Sequence, residues 1–228
     1  MNKILNIAHR GAKAYAPENT LVAFQKALEM TVDGIELDVH LCKTGHIIVI
    51  HDHTVDRTTN GEGSVNDLTL DEIKALRINH EHHIPTLTEV FEHIEQKCLI
   101  NIELKGAGTA KPVEDLIEYY VNEKNWSYDT FLVSSFDWLM LMDIHLANPK
   151  IPLGVLANYD LDLAFAFTKF IQAQSIHSYY HLLSENKTAE MLEQGFQVFA
   201  WTVNEPEDIQ KIKSFQVTGI ISDFPDRI

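Results

Sequence analysis

The sequence predicts an α/β protein of the (β/α)8, or TIM-barrel, class, and three observations support that prediction. Eight short β-rich runs recur along the chain, amphipathic helical stretches lie between most of them, and 228 residues suit one such barrel. No repeat of fixed period and no Pro/Gly/Ser linker divides the chain, so residues 1–228 are expected to form a single domain. An open doubly wound sheet is the architectural alternative.

The runs are "ILNIAH" (4–9), "GIELDV" (34–39), "CLINIEL" (98–104), "TFLVSSF" (130–136), "IPLGVL" (151–156), "QSIHSYY" (174–180), "FQVFAWTV" (196–203) and "TGIISDF" (218–224). After the first, Leu21, Phe24, Ala27 and Leu28 share a helical face behind a cap expected at Asn19. Leu87, Val90, Phe91 and Ile94 repeat that spacing, as do Val113, Leu116, Ile117, Tyr120 and Val121, and later Ile209 and Ile212. Two irregularities stand out. A small insertion, at about 41–85, follows the second strand and is far longer than an ordinary βα loop, so it is expected above the barrel mouth. Within it "KTG" (43–45) is a turn signal, so "HIIVIHD" (46–52) should return antiparallel to the second strand and carry His51 back to the mouth. No clear eighth helix follows the last run, which leaves that flank to the N-terminal residues, a short turn or another subunit; a homo-oligomer is compatible with this.

Composition narrows the function. The chain has 18 Lys and Arg against 33 Asp and Glu, a formal charge of −15, so its surface should repel nucleic acid and anionic lipid, and stable membrane association is not expected. "MNKILNIAHRG" has too short an apolar run for a signal peptide, and Cys42 and Cys98 lack a CxxC spacing. A cytoplasmic protein with two buried thiols is expected.

Chemistry is written into the strands. Side chains alternate along a strand, so Ile35, Leu37 and Val39 share one face while Glu36, Asp38 and His40 share the other. In "CLINIELK", Ile100, Ile102 and Leu104 likewise oppose Asn101, Glu103 and Lys105. Parallel neighbours lie roughly 4.8 Å apart, so Glu36, Asp38 and Glu103 can converge inside the barrel. Burying three carboxylates demands compensation. An all-oxygen set points to one hard divalent cation, Mg2+ or Ca2+, over zinc. The bland alternative is ion pairing with Arg10 or Lys105.

His9 ends the first strand beside Arg10 and Gly11, and His51 returns to the same region. Two imidazoles titrating near neutrality can divide proton removal and proton donation. Arg10 and Lys105 offset the carboxylates so that, with a divalent cation, the mouth suits one singly charged phosphodiester. Asp52 is an orienter or a structural residue. Trp201 is core or a wall of the substrate site, and in "PENT" Pro17 and Asn19 suit helix initiation while Glu18 can hydrogen-bond at the mouth and contact substrate. His177 is a candidate pocket-lining residue. "HEHH" (80–83) reads as a solvated loop, and His40 has no assigned role.

Taken together, "HRG" (9–11), "PENT" (17–20), "ELDVH" (36–40), "VIHD" (49–52), "IELK" (102–105), "WTVN" (201–204) and "ISDFP" (221–225) resemble the glycerophosphodiester phosphodiesterase family. The resemblance runs from residue 9 to 225. It implies a (β/α)8 barrel with a small insertion, and a metal-dependent hydrolase that splits a small-molecule glycerophosphodiester substrate into sn-glycerol 3-phosphate and an alcohol. By that resemblance Glu36, Asp38 and Glu103 bind the metal, His9 and His51 form the acid/base pair, and Arg10 and Lys105 contact phosphate. A related barrel phospholipase acting on intact lipids would display an exposed apolar rim, which the sequence does not announce. A non-catalytic glycerophosphodiester-binding protein would have lost a histidine or carboxylate, and an amidohydrolase-type barrel would need an HxH pair where this chain has "HRG".

Overall fold

All eight β-rich runs become parallel barrel strands in the computed structural model, which describes residues 3–228. In chain order the elements are β1 (Leu5–His9), α1 (Leu21–Glu29), β2 (Gly34–Leu41), β3 (Ile47–Val49), α2 (Leu70–Ala75), α3 (Leu87–Ile94), β4 (Leu99–Leu104), α4 (Ala110–Lys124), β5 (Phe131–Ser135) and α5 (Trp138–Ala147). They continue with β6 (Leu153–Ala157), α6 (Leu161–Phe170), β7 (Ser175–Tyr179), α7 (Glu185–Glu193), β8 (Gln197–Trp201), α8 (Pro206–Ser214) and β9 (Gly219–Ser222). β1 pairs in parallel with both β2 and β9, which closes the ring and rules out the open sheet. β3 lies outside the ring, antiparallel to β2, with Val39 opposite Val49 and Leu41 opposite Ile47. The "KTG" hairpin therefore forms as its turn chemistry predicts.

Alternation sorts the core. Ile35, Leu37, Val39, Ile100, Ile102 and Leu104 face outward and pack with Phe24, Val90 and Phe91 of the surrounding helices. A smaller apolar layer of Ile7, Leu132, Phe199 and Ile221 fills the barrel interior, so the interior is packed and only its C-terminal mouth is free for chemistry. After β9 the chain makes a single turn, Pro225–Arg227. Asn6 Nδ2 donates to Pro225 O at 2.7 Å and Lys213 Nζ to Ile228 O at 2.6 Å, so the short turn is tied to β1 and α8 on that flank.

The insertion has its own apolar cluster of Cys42, Ile48, Ile50, Val55, Val65, Ile73, Ile78 and Ile84. The "HEHH" segment lies in a loop there, with His80 and His83 outside the core. Cys42 and Cys98 are buried free thiols. No helix among the described residues is long and apolar enough to cross a membrane.

One local reading is corrected. The cap of α1 is Thr20, whose Oγ1 accepts from Ala23 N at 3.3 Å, and not Asn19. Asn19 sits at φ +56, and its amide is drawn into the barrel by a carboxylate described below. Just after β1 the chain turns sharply through two left-handed residues, Arg10 (φ +54) and Gly11 (φ +79). A Cβ on Gly11 would stand 2.7 Å from the Ala23 backbone, so glycine is required both for φ and for the approach of α1. Gly11→Ala is expected to lower stability by about 2 kcal/mol or more, measured by urea denaturation. An unchanged midpoint would contradict this packing.

Candidate active site

Strand register assembles the site. His9 pairs with Glu36 across β1 and β2, and Asp38 with Glu103 across β2 and β4. One ligand oxygen from each of Glu36, Asp38 and Glu103 lies within 4.8 Å of the others, the single such grouping of three or more potential ligands among the described residues. The three residues are only 3%, 1% and 9% exposed, so water cannot neutralise them. Burial, then repulsion from Asp38, pushes Glu103 up to about 7, and the same causes with Glu103 added hold Glu36 well above the carboxylate range.

The neighbouring cations compensate only in part. Arg10 N–H donates to Glu36 Oε2 at 2.9 Å, while its guanidinium Nε lies 3.3 Å from Asp38 Oδ2. Lys105 Nζ donates to Glu103 Oε1 at 3.0 Å and stands 3.7 Å from Asp38 Oδ1. Burial opposes the charge of Arg10 and Lys105, but the facing carboxylates outweigh it and raise both pKa values. Asn19 Nδ2 donates to Asp38 Oδ2 at 2.9 Å, which explains why Asn19 abandons the helix cap. Glu36 Oε1 remains buried with no hydrogen-bond partner. An orphaned carboxylate oxygen beside two other hard oxygen donors fits a divalent cation, and ion pairing with Arg10 and Lys105 coexists with that fit.

Both histidines are oriented by carboxylates. His9 Nδ1 lies 2.6 Å from Asp223 Oδ1, and Nε2 is 3.9 Å from Glu36 Oε2. His51 Nδ1 lies 2.6 Å from Asp52 Oδ1. In each, the carboxylate fixes the tautomer with hydrogen on Nδ1 and leaves Nε2 for proton exchange. Burial lowers the pKa of both rings, against the partial opposition of Asp223 for His9 and of Asp38 and Asp52 for His51. His40 Nε2 meets His51 O at 3.0 Å, so His40 holds the end of the hairpin in place.

His9, Arg10, Glu36, His51, Glu103 and Lys105 line one cavity of about 190 Å3, walled by Trp201, Phe136 and His177. Trp201 packs edge-to-face on Phe136 with centroids 5.5 Å apart, and its Nε1 donates to His177 O at 2.8 Å. His177 itself is neutral, because burial brings it down to about 3. Glu18 is not in the cavity wall; its Oε1 accepts from Arg10 Nη1 at 2.9 Å and from Arg57 Nη2 at 2.7 Å, and those two cations overcome burial to bring it to about 2.

Asp223, Arg57 and Phe136 were not singled out from sequence, and Asn19 was read only as a helix cap. Asp223 carried a signal, being an acid at the C-terminal end of a barrel strand. Asn19 was masked by its good capping propensity, Arg57 lies in a loop with no periodicity to mark it, and Phe136 was read only as the end of the β-rich run 130–136.

Residues 9–227 match the model of the glycerophosphoryl diester phosphodiesterase family. The chain is 40% identical to a glycerophosphodiester phosphodiesterase of Caldanaerobacter subterraneus, with 99% of this chain and 96% of that one aligned. Among solved structures it resembles an Oleispira antarctica phosphodiesterase in complex with the product sn-glycerol-3-phosphate, with 27% identity, TM-score 0.87, and 97% and 94% of the two chains covered. A glycerophosphodiester phosphodiesterase from Thermotoga maritima gives 28% identity and TM-score 0.84 over 99% and 97%. The chain therefore belongs to the glycerophosphoryl diester phosphodiesterase family and is an enzyme of that class.

Proposed function

We propose that the chain hydrolyses glycerophosphodiesters to sn-glycerol 3-phosphate and an alcohol, with His9 and His51 as its acid/base pair. The observation that carries this reading is the pairing of two carboxylate-oriented imidazoles in one cavity with Arg10, Lys105 and the acidic cluster. Glu36, Asp38 and Glu103 would hold one divalent cation, Mg2+ or Ca2+, which when bound offsets charge on the phosphodiester oxygens.

Arg10 and Lys105 bind the anionic phosphate and keep it between the imidazoles. One imidazole takes the proton of the nucleophile, either a water or the neighbouring glycerol hydroxyl, which forms a cyclic phosphate that a water then opens to glycerol 3-phosphate. The other gives a proton to the departing alkoxide. Both rings are biased to the neutral form by burial, and an anionic phosphate between them favours protonation of one. Trp201 and Phe136 close the side of the cavity and keep water from the reacting atoms except where it is positioned.

The test is release of glycerol 3-phosphate from glycerophosphocholine, glycerophosphoethanolamine, glycerophosphoglycerol and glycerophosphoinositol, with Mg2+ and Ca2+ supplied in turn. At least one cation should support release from at least one diester, and no release with either overturns the reading. A second reading, action on intact lipids, is favoured by a specific observation: Phe136, Leu139, Tyr159 and Leu163 are 39%, 64%, 86% and 57% exposed on the loops and first helical turns after β5 and β6, at the barrel mouth. A phosphatidylcholine arm of the same panel decides it, because preference for the lipid over the deacylated diester would exchange the two readings.

A further inference from the structure

Arg57 belongs to the insertion and not to any strand that builds the cavity, yet its guanidinium spans two functional groups. Its Nε donates to Asp52 Oδ2 at 2.6 Å and its Nη2 to Asp52 Oδ1 at 3.0 Å, a bidentate fork on the carboxylate that holds His51. The same Nη2 reaches Glu18 Oε1 at 2.7 Å, the oxygen that also accepts from Arg10. Only arginine offers a planar fork that can grip one carboxylate with two bonds and still reach a second.

We propose that Arg57 is a positioning residue that anchors the Asp52–His51 pair of the insertion to Glu18 of the barrel, and so sets where the His51 ring stands in the cavity. The physical need is visible in the core. The insertion beyond β3 packs on an apolar cluster of its own, and β3 joins it to the barrel core, with Ile48 in the first and Ile47 and Val49 in the second. Among the described residues, the side-chain hydrogen bonds from 52–84 to the rest of the chain, besides Asp52 to His51, are Arg57 to Glu18, Lys74 to Glu89 and Leu70 N to Thr44 Oγ1, and the last two are made by α2 and do not involve Asp52 or His51. His40 fixes the His51 backbone, but the ring is turned by Asp52 alone. Without Arg57, Asp52 keeps its bond to His51 but loses its own anchor. A reacting imidazole needs placement to a fraction of an ångström.

Arg57 is half-exposed, and exposed ion pairs contribute little to stability, so its removal should leave the fold intact. The inference rests on the acid/base reading of His51, and the experiment separates the two. Steady-state kinetics on glycerophosphocholine are measured for Arg57→Met, Arg57→Lys, Asp52→Asn, the Arg57→Met/Asp52→Asn double variant and His51→Ala. Arg57→Met should lower kcat about 10- to 100-fold with KM within about threefold of the parent. Arg57→Lys, which keeps the charge but not the fork, should fall between parent and Arg57→Met, and it serves as the probe if the methionine variant does not fold. Because both residues act through one ring, the double variant should lie within about threefold of the worse single. An Arg57→Met kcat within about threefold of the parent, or losses that multiply in the double variant, overturns the anchor. Near-normal turnover in His51→Ala would instead remove the acid/base reading on which it rests.

Discussion

Replacing either His9 or His51 with alanine is expected to lower kcat on glycerophosphocholine at least ~100-fold, the lower range for losing a general acid or base. The effect should fall on kcat more than on KM, because Arg10 and Lys105, the proposed phosphate contacts, are retained. The two variants are not equivalent in structure. His9 is enclosed between Asp223 and Glu36, so its removal leaves the Asp223 carboxylate with Lys13 and Asn204 as its remaining partners. His51 sits at the open side, next to Asp52, and its loss disturbs less of the barrel. A fall of similar size in both, with the folded far-UV CD spectrum retained, is the signature of paired proton transfer. Turnover within a few-fold of the parent in either variant would remove that residue from the acid/base pair.

The second large effect comes from the acidic cluster. Glu36→Gln is expected to reduce kcat/KM at least about 100-fold, because it replaces the one carboxylate whose Oε1 is buried and unpartnered. The same change should stabilise the cation-free protein at alkaline pH. Glu103 rises to about 7 in the folded chain, against an ordinary value of 4.5, and Glu36 is raised as well, with burial first and neighbouring carboxylates second among the causes. The folded state therefore binds protons that the unfolded state has released. Stability that is fully present below about 4.5 is lost as pH rises through about 7. Cation-free protein should thus have a lower Tm at pH 8 than at pH 5 relative to Glu36→Gln, and saturating Mg2+ or Ca2+ should raise the parent Tm at pH 8 by on the order of 5 °C, with a smaller rise at pH 5. A cation effect equal at both pH values, or undiminished in Glu36→Gln, would place the ion elsewhere.

Much of this site was legible because its signals are local. The period of two in "GIELDV" and "LINIEL" sends Glu36, Asp38 and Glu103 inward whatever the rest of the chain does. "KTG" returns His51 to the mouth through turn chemistry alone. The contacts that were not legible join distant parts of the chain. His9 and Asp223 are 214 residues apart, and nothing near either residue announces the other. Asn19 has the side chain of a good cap, and only the buried Asp38 carboxylate overrides that propensity by taking its amide. Arg57 and the exposed rim of Leu139, Tyr159 and Leu163 depend on which loop ends lie together above the barrel, and that follows from closure of the sheet more than from any pattern in the sequence.

The proposed reaction specifies which phosphorus–oxygen bond breaks, and phosphorus-31 NMR of glycerophosphocholine turnover observes it directly. Incubation of the parent protein with Mg2+ or Ca2+ should replace the diester resonance with that of sn-glycerol 3-phosphate alongside free choline, and a chelator, His51→Ala or Glu36→Gln should each leave the diester intact. Phosphocholine and glycerol as products, or undiminished conversion in the presence of chelator, would contradict a cation-assisted cleavage between His9 and His51 that releases glycerol 3-phosphate.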